Sequence, residues 1–185
     1  MKVYMIRHSI TKGNLENRYV GSTDEHLCEK GIALAKSKNF PLVEKVYTSP
    51  LLRCLETADI LFPEINKTII PGLRETDFGD FEYKNYEELN GNPAYQRWID
   101  SNGTSGFPNG EGLEEVNRRV QEVFRSIMKD AFRNQYTSIA VVTHGGTIMS
   151  IMSQFSSEKK DYFEWQVKNC EGYLLEMDGG SQCYR

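Results

Sequence analysis

The chain has 185 residues, 39% of them hydrophobic, 26% charged and 11% aromatic, which fits one domain with its own core and excludes a disordered tail, a collagen-like repeat and a coiled coil. With 22 Lys and Arg against 26 Asp and Glu the net charge is −4, which argues against a general nucleic-acid binder but allows a local phosphate pocket. No apolar run approaches the ~20 residues of a membrane span, Met1 to Ile6 is too short for a secretory core, and Cys28, Cys54, Cys170 and Cys183 form no CxxC pair; the expected setting is cytoplasmic, with free thiols.

Val3 to Ile6 reads as a buried opening strand that stops at Arg7-His8-Ser9. Gly31 to Phe40 suits a short helix, and Val46 to Thr48 a second strand ending at Ser49-Pro50. Leu51, Leu52, Leu55, Ala58 and Phe62 repeat at helical spacing. Pro50 would open that helix, where a missing N–H costs nothing, and Pro63 would close it. Thr68 to Ile70 is a third β-branched run, cut by Pro71-Gly72. One face of a longer helix carries Val116, Val120, Val123, Phe124 and Ile127, running to about Arg133. Ile139 to Thr143 is the clearest buried strand; it breaks at His144-Gly145-Gly146 and leads into an apolar helix from Thr147 to Phe155. Tyr173 to Met177 supplies a last strand before a polar tail.

Alternating strands and helices predict a single α/β domain over residues 1–185: three layers, with a mainly parallel central sheet and helices on both faces. Residues 77–112 depart from the alternation and hold a third of the 21 aromatics, among them Tyr95, Trp98 and Phe107. This stretch is expected to be a helical, aromatic-rich lid inserted over one sheet edge, with most of its rings packing the lid and one or two lining an entrance.

Ligands of open α/β sheets bind outside the carboxyl ends of the strands. Arg7 and His8 follow the first strand, Arg53 comes soon after the second, Arg74-Glu75 follow the third and His144-Gly145-Gly146 the fourth. Singly, each has an ordinary surface or turn reading. Jointly, two histidines, two or three arginines and a carboxylate are placed to share one rim, and the two glycines leave free N–H groups at a helix start, which favours anions. His8, His26 and His144 have no metal-ligand spacing and no companion carboxylate or cysteine pair, so no metal or other cofactor is expected.

Four ordered blocks resemble the histidine phosphatase superfamily, in its phosphoglycerate-mutase-like branch: Arg7-His8-Ser9-Ile10-Thr11 with Asn14 and Gly21, Ser49-Pro50-Leu51-Leu52-Arg53 with Thr57-Ala58, Leu73-Arg74-Glu75 through Glu82, and Thr143-His144-Gly145-Gly146. The resemblance implies that His8 attacks phosphorus and forms a phosphohistidine. Arg7, Arg53 and His144 would clamp the phosphoryl oxygens, with Asn14, Gly21 and the Gly145 N–H also on the substrate. Glu75 would protonate the leaving group and then activate water, a role that asks for partial burial. Departures from the family pattern are Ser9 for Gly, beside the expected phosphate, Ile10 for an acid, His26 for Pro, Cys28 for a hydroxyl cap, Tyr83 for Gly and Gly112 for Ser. The implied function is a metal-independent phosphomonoesterase acting on a small phosphate monoester, with neither nucleic acid nor membrane as partner and oligomeric state left open. α-Ribazole phosphate is one candidate substrate, because an aromatic lid suits a flat base; sugar phosphates and phosphoserine are others. The alternatives are mutase-type phosphoryl transfer, favoured in longer relatives, and a non-catalytic phosphate-ester-binding protein.

Overall fold

The computed structural model describes residues 1–178; Cys183 and most of the polar tail lie outside them. Five strands form one sheet: β1 (Lys2–Arg7), β2 (Lys45–Thr48), β3 (Lys67–Ile69), β4 (Ser138–Thr143) and β5 (Gly172–Glu176). Their order is β3-β2-β4-β1-β5, all parallel except β5, which runs antiparallel to β1. The helices are α1 (Lys12–Leu15), α2 (Glu29–Ser37), α3 (Leu52–Leu61), α4 (Pro93–Asp100), α5 (Leu113–Arg133) and α6 (Gly145–Phe155).

Strand pleating sorts the core into two layers. Val3, Met5, Ile139 and Val141 face α5 and α6, where Val120, Phe124, Ile127, Ile148 and Ile151 meet them. Ile6, Val46, Ala140 and Val142 face the other way, onto Cys54, Ala58 and Phe62 of α3 and its end. The expected three-layer α/β architecture is therefore present. No helix among the described residues is long and apolar enough to cross a membrane.

Element edges moved where local chemistry overrides apolar spacing. α2 starts at Glu29 behind a Cys28 cap that makes no side-chain bond, and it stops at Ser37. Phe40 cannot be helical because it precedes Pro41. Leu51, not Pro50, caps α3, so the proline sits one residue outside the position expected for it. α6 begins at Gly145, earlier than its apolar residues suggest.

The 77–112 insertion contains one α-helix, α4, with the Asn92 side chain accepting from the Ala94 and Tyr95 N–H groups and Pro93 in its first turn. A 3-10 turn, Gly79–Phe81, supplies the other regular piece. Phe81, Leu89 and Tyr95 are buried, with Tyr19, Phe78, Trp98 and Phe107 packed on them. Most of the aromatics thus hold the insertion together. Its two ends meet at Glu111, whose carboxylate accepts from Arg74, from Arg119 and from the Asp77 N–H. Tyr83, where the family commonly has Gly, takes a left-handed φ of 58°. That strain, on the order of 1 kcal/mol or more, is offset by three contacts: its hydroxyl donates to Glu25 at 2.8 Å, its N–H donates to the Tyr19 carbonyl, and the Arg18 guanidinium lies over its ring.

β5 can lie against β1 only because Gly172 has no side chain; a Cβ there would overlap the Met5 carbonyl. Gly172→Ala is expected to cost about 3 kcal/mol, seen as a thermal midpoint roughly 6–12 °C lower. An unchanged midpoint would contradict the close pairing.

Candidate active site

Strand register builds the site. Arg7 stands opposite Thr143, and Thr48 opposite Val142. The next residues of each strand, His8, Ser49 and His144, therefore emerge together at the carboxyl edge. The His8 N–H donates to the Thr143 carbonyl at 2.8 Å and the Ser49 N–H to Val142 at 3.0 Å. The imidazoles of His8 and His144 meet edge to face, centroids 5.2 Å apart.

A cavity of about 650 Å³ opens over this edge, lined by Arg7, His8, Asn14, Glu75 and Gly145 among others. His8 is 3% exposed. Its Nδ1 lies 2.7 Å from the Ser9 carbonyl oxygen, which can only accept, so Nδ1 carries the proton and Nε2 keeps its lone pair. Burial, then the positive charges of Arg53 and Arg7, hold its pKa well below the usual imidazole range, against a smaller opposing pull from the Ser9 carbonyl. His8 is therefore a neutral imidazole whose unprotonated Nε2 is able to act as a nucleophile.

Arg7 donates through Nη1 to the Val167 carbonyl at 2.7 Å, while its buried Nε has no partner among the described residues. Beside it lies Gly145, where a Cβ would stand 3.5 Å from that Nε. As the first residue of α6, Gly145 has no intrahelical acceptor for its N–H. The Asn14 carbonyl oxygen accepts from the Thr11 N–H and from Asn169, leaving the amide NH₂ available to the cavity. Donors left open on one wall, next to a helix N-terminus, are the arrangement that suits an anion such as a phosphoryl group.

Glu75 stands on the same cavity wall, 8% exposed. Oε1 accepts from the Thr76 N–H at 2.8 Å and Oε2 from the Gly146 N–H at 3.0 Å. The second glycine serves this contact, since a Cβ on Gly146 would crowd Glu75.

Three residues expected on the substrate stand elsewhere. Arg53 is fully buried behind His144 and donates to the carbonyls of Val20, Gly21 and Thr23 and, through Nε, to His144 Nδ1 at 3.3 Å. His144 is equally buried; its Nδ1 accepts from that guanidinium, so its proton is on Nε2, facing Ser49 Oγ at 2.7 Å. Burial, then Arg53, His8 and Arg7, push its pKa well below the usual range. Gly21 gives its N–H to Glu82 and its carbonyl to Arg53, and a side chain there would overlap the Thr76 carbonyl. Arg53, His144 and Gly21 thus form the layer that backs His8.

Ser9 does not line the cavity. Its N–H donates to Thr57 and its hydroxyl turns away to the Gly31 carbonyl at 2.7 Å. His26 is exposed and paired with Glu56. Among the described residues no group of three or more His, Cys, Asp or Glu is placed to hold a metal ion. Sequence reasoning missed Lys168 and Asn169 on the cavity wall, and Arg18, whose guanidinium is held by Glu16, Glu88 and the Tyr83 carbonyl. The first two precede β5, whose antiparallel pairing of Gly172 with Ile6 brings them beside His8.

A family model for the histidine phosphatase superfamily (branch 1) matches residues 3–184. The chain belongs to that superfamily and is an enzyme of the phosphatase type. It is similar to the adenosylcobalamin/alpha-ribazole phosphatase of Salmonella typhimurium, with 28% identity over 162 residues that cover 83% of this chain and 79% of that protein. A 2,3-bisphosphoglycerate-dependent phosphoglycerate mutase of Rhizobium etli is 24% identical over 165 residues, 80% of this chain and 76% of its own. The crystal structure of the alpha-ribazole phosphatase from Shigella flexneri matches with a TM-score of 0.83 over 97% of this chain and 92% of its own, at 23% identity, a likeness of fold.

Both site histidines have pKa values depressed from the ordinary 6.5. As pH falls, the unfolded chain binds their protons first, so the stability present above about pH 6.5 is lost on acidification towards the lower folded values. Thermal midpoints between about pH 7.5 and 5, above the main carboxylate range, are expected to fall with pH and to fall less steeply in His144→Gln. A midpoint that rises on acidification would contradict the neutral pair.

Proposed function

We propose that the chain is a phosphomonoesterase that turns over through a phosphohistidine on His8. The observation that carries this reading is the bond from His8 Nδ1–H to the Ser9 carbonyl, which leaves Nε2 unprotonated on a residue that lines the cavity.

In the first step Nε2 attacks phosphorus, the bond from phosphorus to the ester oxygen breaks, and Glu75 delivers a proton to the departing alkoxide. In the second, the Glu75 carboxylate takes a proton from water as that water attacks phosphorus, the P–N bond breaks, and inorganic phosphate leaves. Arg7, the Asn14 amide and the Gly145 N–H hold the non-bridging oxygens. Donors fixed before the reaction stabilise the spreading charge without reorganising. Arg53 acts from behind: burial first and then its charge keep His144 and His8 neutral, and its bonds fix the loop from Val20 to Thr23.

A small phosphorylated metabolite in the cytoplasm is the proposed substrate, with α-ribazole phosphate a candidate on the strength of the similarity to the Salmonella protein. Mutase-type transfer requires a phosphohistidine sheltered from water. Here the cavity reaches exposed Lys168 at its mouth, which favours hydrolysis. A binding protein without catalysis is disfavoured by the presence of Arg7, His8, Arg53, Glu75 and His144 together.

Hydrolysis of p-nitrophenyl phosphate in excess EDTA is expected for the native chain and is expected to vanish in His8→Ala. Full turnover in that variant would falsify the proposal. Glu75→Gln is expected to lower kcat by about 10²–10⁴, while competitive inhibition by phosphate changes little; equal losses of both would remove Glu75 from its acid–base role.

A further inference from the structure

The pairing of β1 with β5 stops at Ile6 and Gly172, so the carbonyls of Arg7, His8 and Ser9 must find partners beyond it. The chain just before β5 supplies them. The Cys170 N–H donates to the Arg7 carbonyl at 3.0 Å and, at 3.3 Å, to that of His8. The Asn169 amide nitrogen donates to the His8 carbonyl at 3.0 Å, to Asn14 Oδ1 at 3.1 Å and to the Ser9 carbonyl at 3.4 Å.

Chemistry fixes which end of the Asn169 amide faces these oxygens. Two of them are backbone carbonyls, which only accept, and the third is already an acceptor from the Thr11 N–H. The group among them must therefore be the NH₂. Its two hydrogens go to the two shorter contacts, on His8 and Asn14, and the Ser9 contact is at most a shared one. Asn169 lines the cavity, yet its donors are spent on residues that would themselves meet a phosphoryl group.

What those oxygens control gives the bonds their meaning. The Ser9 carbonyl holds His8 Nδ1–H at 2.7 Å, so fixing the His8 and Ser9 carbonyls fixes the imidazole. Asn14 Oδ1, shared between the Thr11 N–H and Asn169, keeps the Asn14 NH₂ on the opposite side, available to the cavity. One of those two bonds alone would leave that amide free to rotate. Cys170, fully buried, takes a left-handed φ of 58° to turn the chain into β5. A residue with a Cβ rarely adopts that conformation, and it persists only where its surroundings over-determine it. The bonds to Arg7 and His8 do so here.

Building on the phosphomonoesterase reading, we infer that Asn169 is a positioning residue for the transfer, holding the His8 ring and the Asn14 amide on one phosphoryl group. It acts through these two residues and donates nothing to the substrate itself.

The test is a double-mutant cycle read by calorimetric binding of inorganic phosphate, which is independent of turnover. Asn14→Ala is expected to weaken phosphate about 10-fold, the loss of one hydrogen bond to a charged group. Asn169→Ala should weaken it roughly 3- to 10-fold in the native background but less than about 2-fold in Asn14→Ala, because the two residues act as a unit. A residue that merely stiffens its loop would weaken both backgrounds equally. In turnover of p-nitrophenyl phosphate, Asn169→Ala is expected to lower kcat about 10²-fold, more than it weakens phosphate, because a misdirected nucleophile slows the step itself. Asn169→Ser, which keeps one donor, replaces the alanine variant if that chain does not fold, and the same coupling is expected. Equal losses in both backgrounds, or an unchanged kcat in Asn169→Ala, would overturn the inference. Coupled phosphate binding in a chain that hydrolyses no p-nitrophenyl phosphate would instead overturn the phosphatase reading and leave Asn169 as the residue that orients Asn14. No phosphate binding by the native chain would overturn both.

Discussion

Parallel pairing of β1 with β4, in the register that sets Arg7 against Thr143, is the constraint from which the site follows. It places the two imidazoles in contact and opens α6 directly behind them, so that a helix N-terminus, a buried guanidinium and a nucleophile converge without any side chain reaching far. A slip of one residue would turn every side chain of β1 to the opposite face and carry His8 out of the cavity. The apolar core that fixes this register, with Val3, Met5, Ile139 and Val141 on one face and Ile6, Ala140 and Val142 on the other, is therefore also what aligns the chemistry.

Electrostatically the site is poised for an anion it does not itself supply. Half-buried Arg7 and fully buried Arg53 lie beside two imidazoles that both stay neutral, and desolvation lowers the pKa of Arg7 itself. Among the described residues Glu75 is the one carboxylate on the cavity wall. The buried Nε of Arg7, without a partner among the described residues, is a local cost to the folded chain. The proposed phosphoryl group would satisfy it, which puts that cost at the proposed binding site. Arg53 does not line the cavity, where the resemblance implied a direct clamp: it ties down the loop from Val20 to Thr23 and donates to His144.

Much of the fold was legible because the central strands are covered on both faces and read as short apolar runs, Val46–Thr48 and Ile139–Thr143 most plainly. Helix ends were less legible: Phe40 and Phe62 continue an apolar pattern, but each precedes a proline that forbids helix. The short α1 and the polar-flanked α4 carry too few apolar residues to announce themselves. In the site, the strand-end rule found Arg7, His8, Glu75 and Gly145, because position along the strand decides their place. It could not separate wall from backing layer, since the carbonyls around Arg53 are irregular loop atoms with no sequence signature. Lys168 and Asn169 were invisible because only the antiparallel pairing of β5 brings them to His8. Ser9 stands beside the expected phosphate by sequence position alone; the turn of its hydroxyl to the Gly31 carbonyl depends on the close approach of α2.

The central claim is that Nε2 of His8 becomes covalently phosphorylated during turnover. The direct measurement is to mix the native chain with excess p-nitrophenyl phosphate, quench in alkali where phosphohistidine survives, and map the modified peptide by mass spectrometry. The account requires one phosphoryl group on His8, linked through Nε2, formed as fast as the first p-nitrophenolate is released and missing from His8→Ala. Steady turnover with the phosphoryl group on another residue, or with no phosphorylated peptide at any quench time, would contradict it.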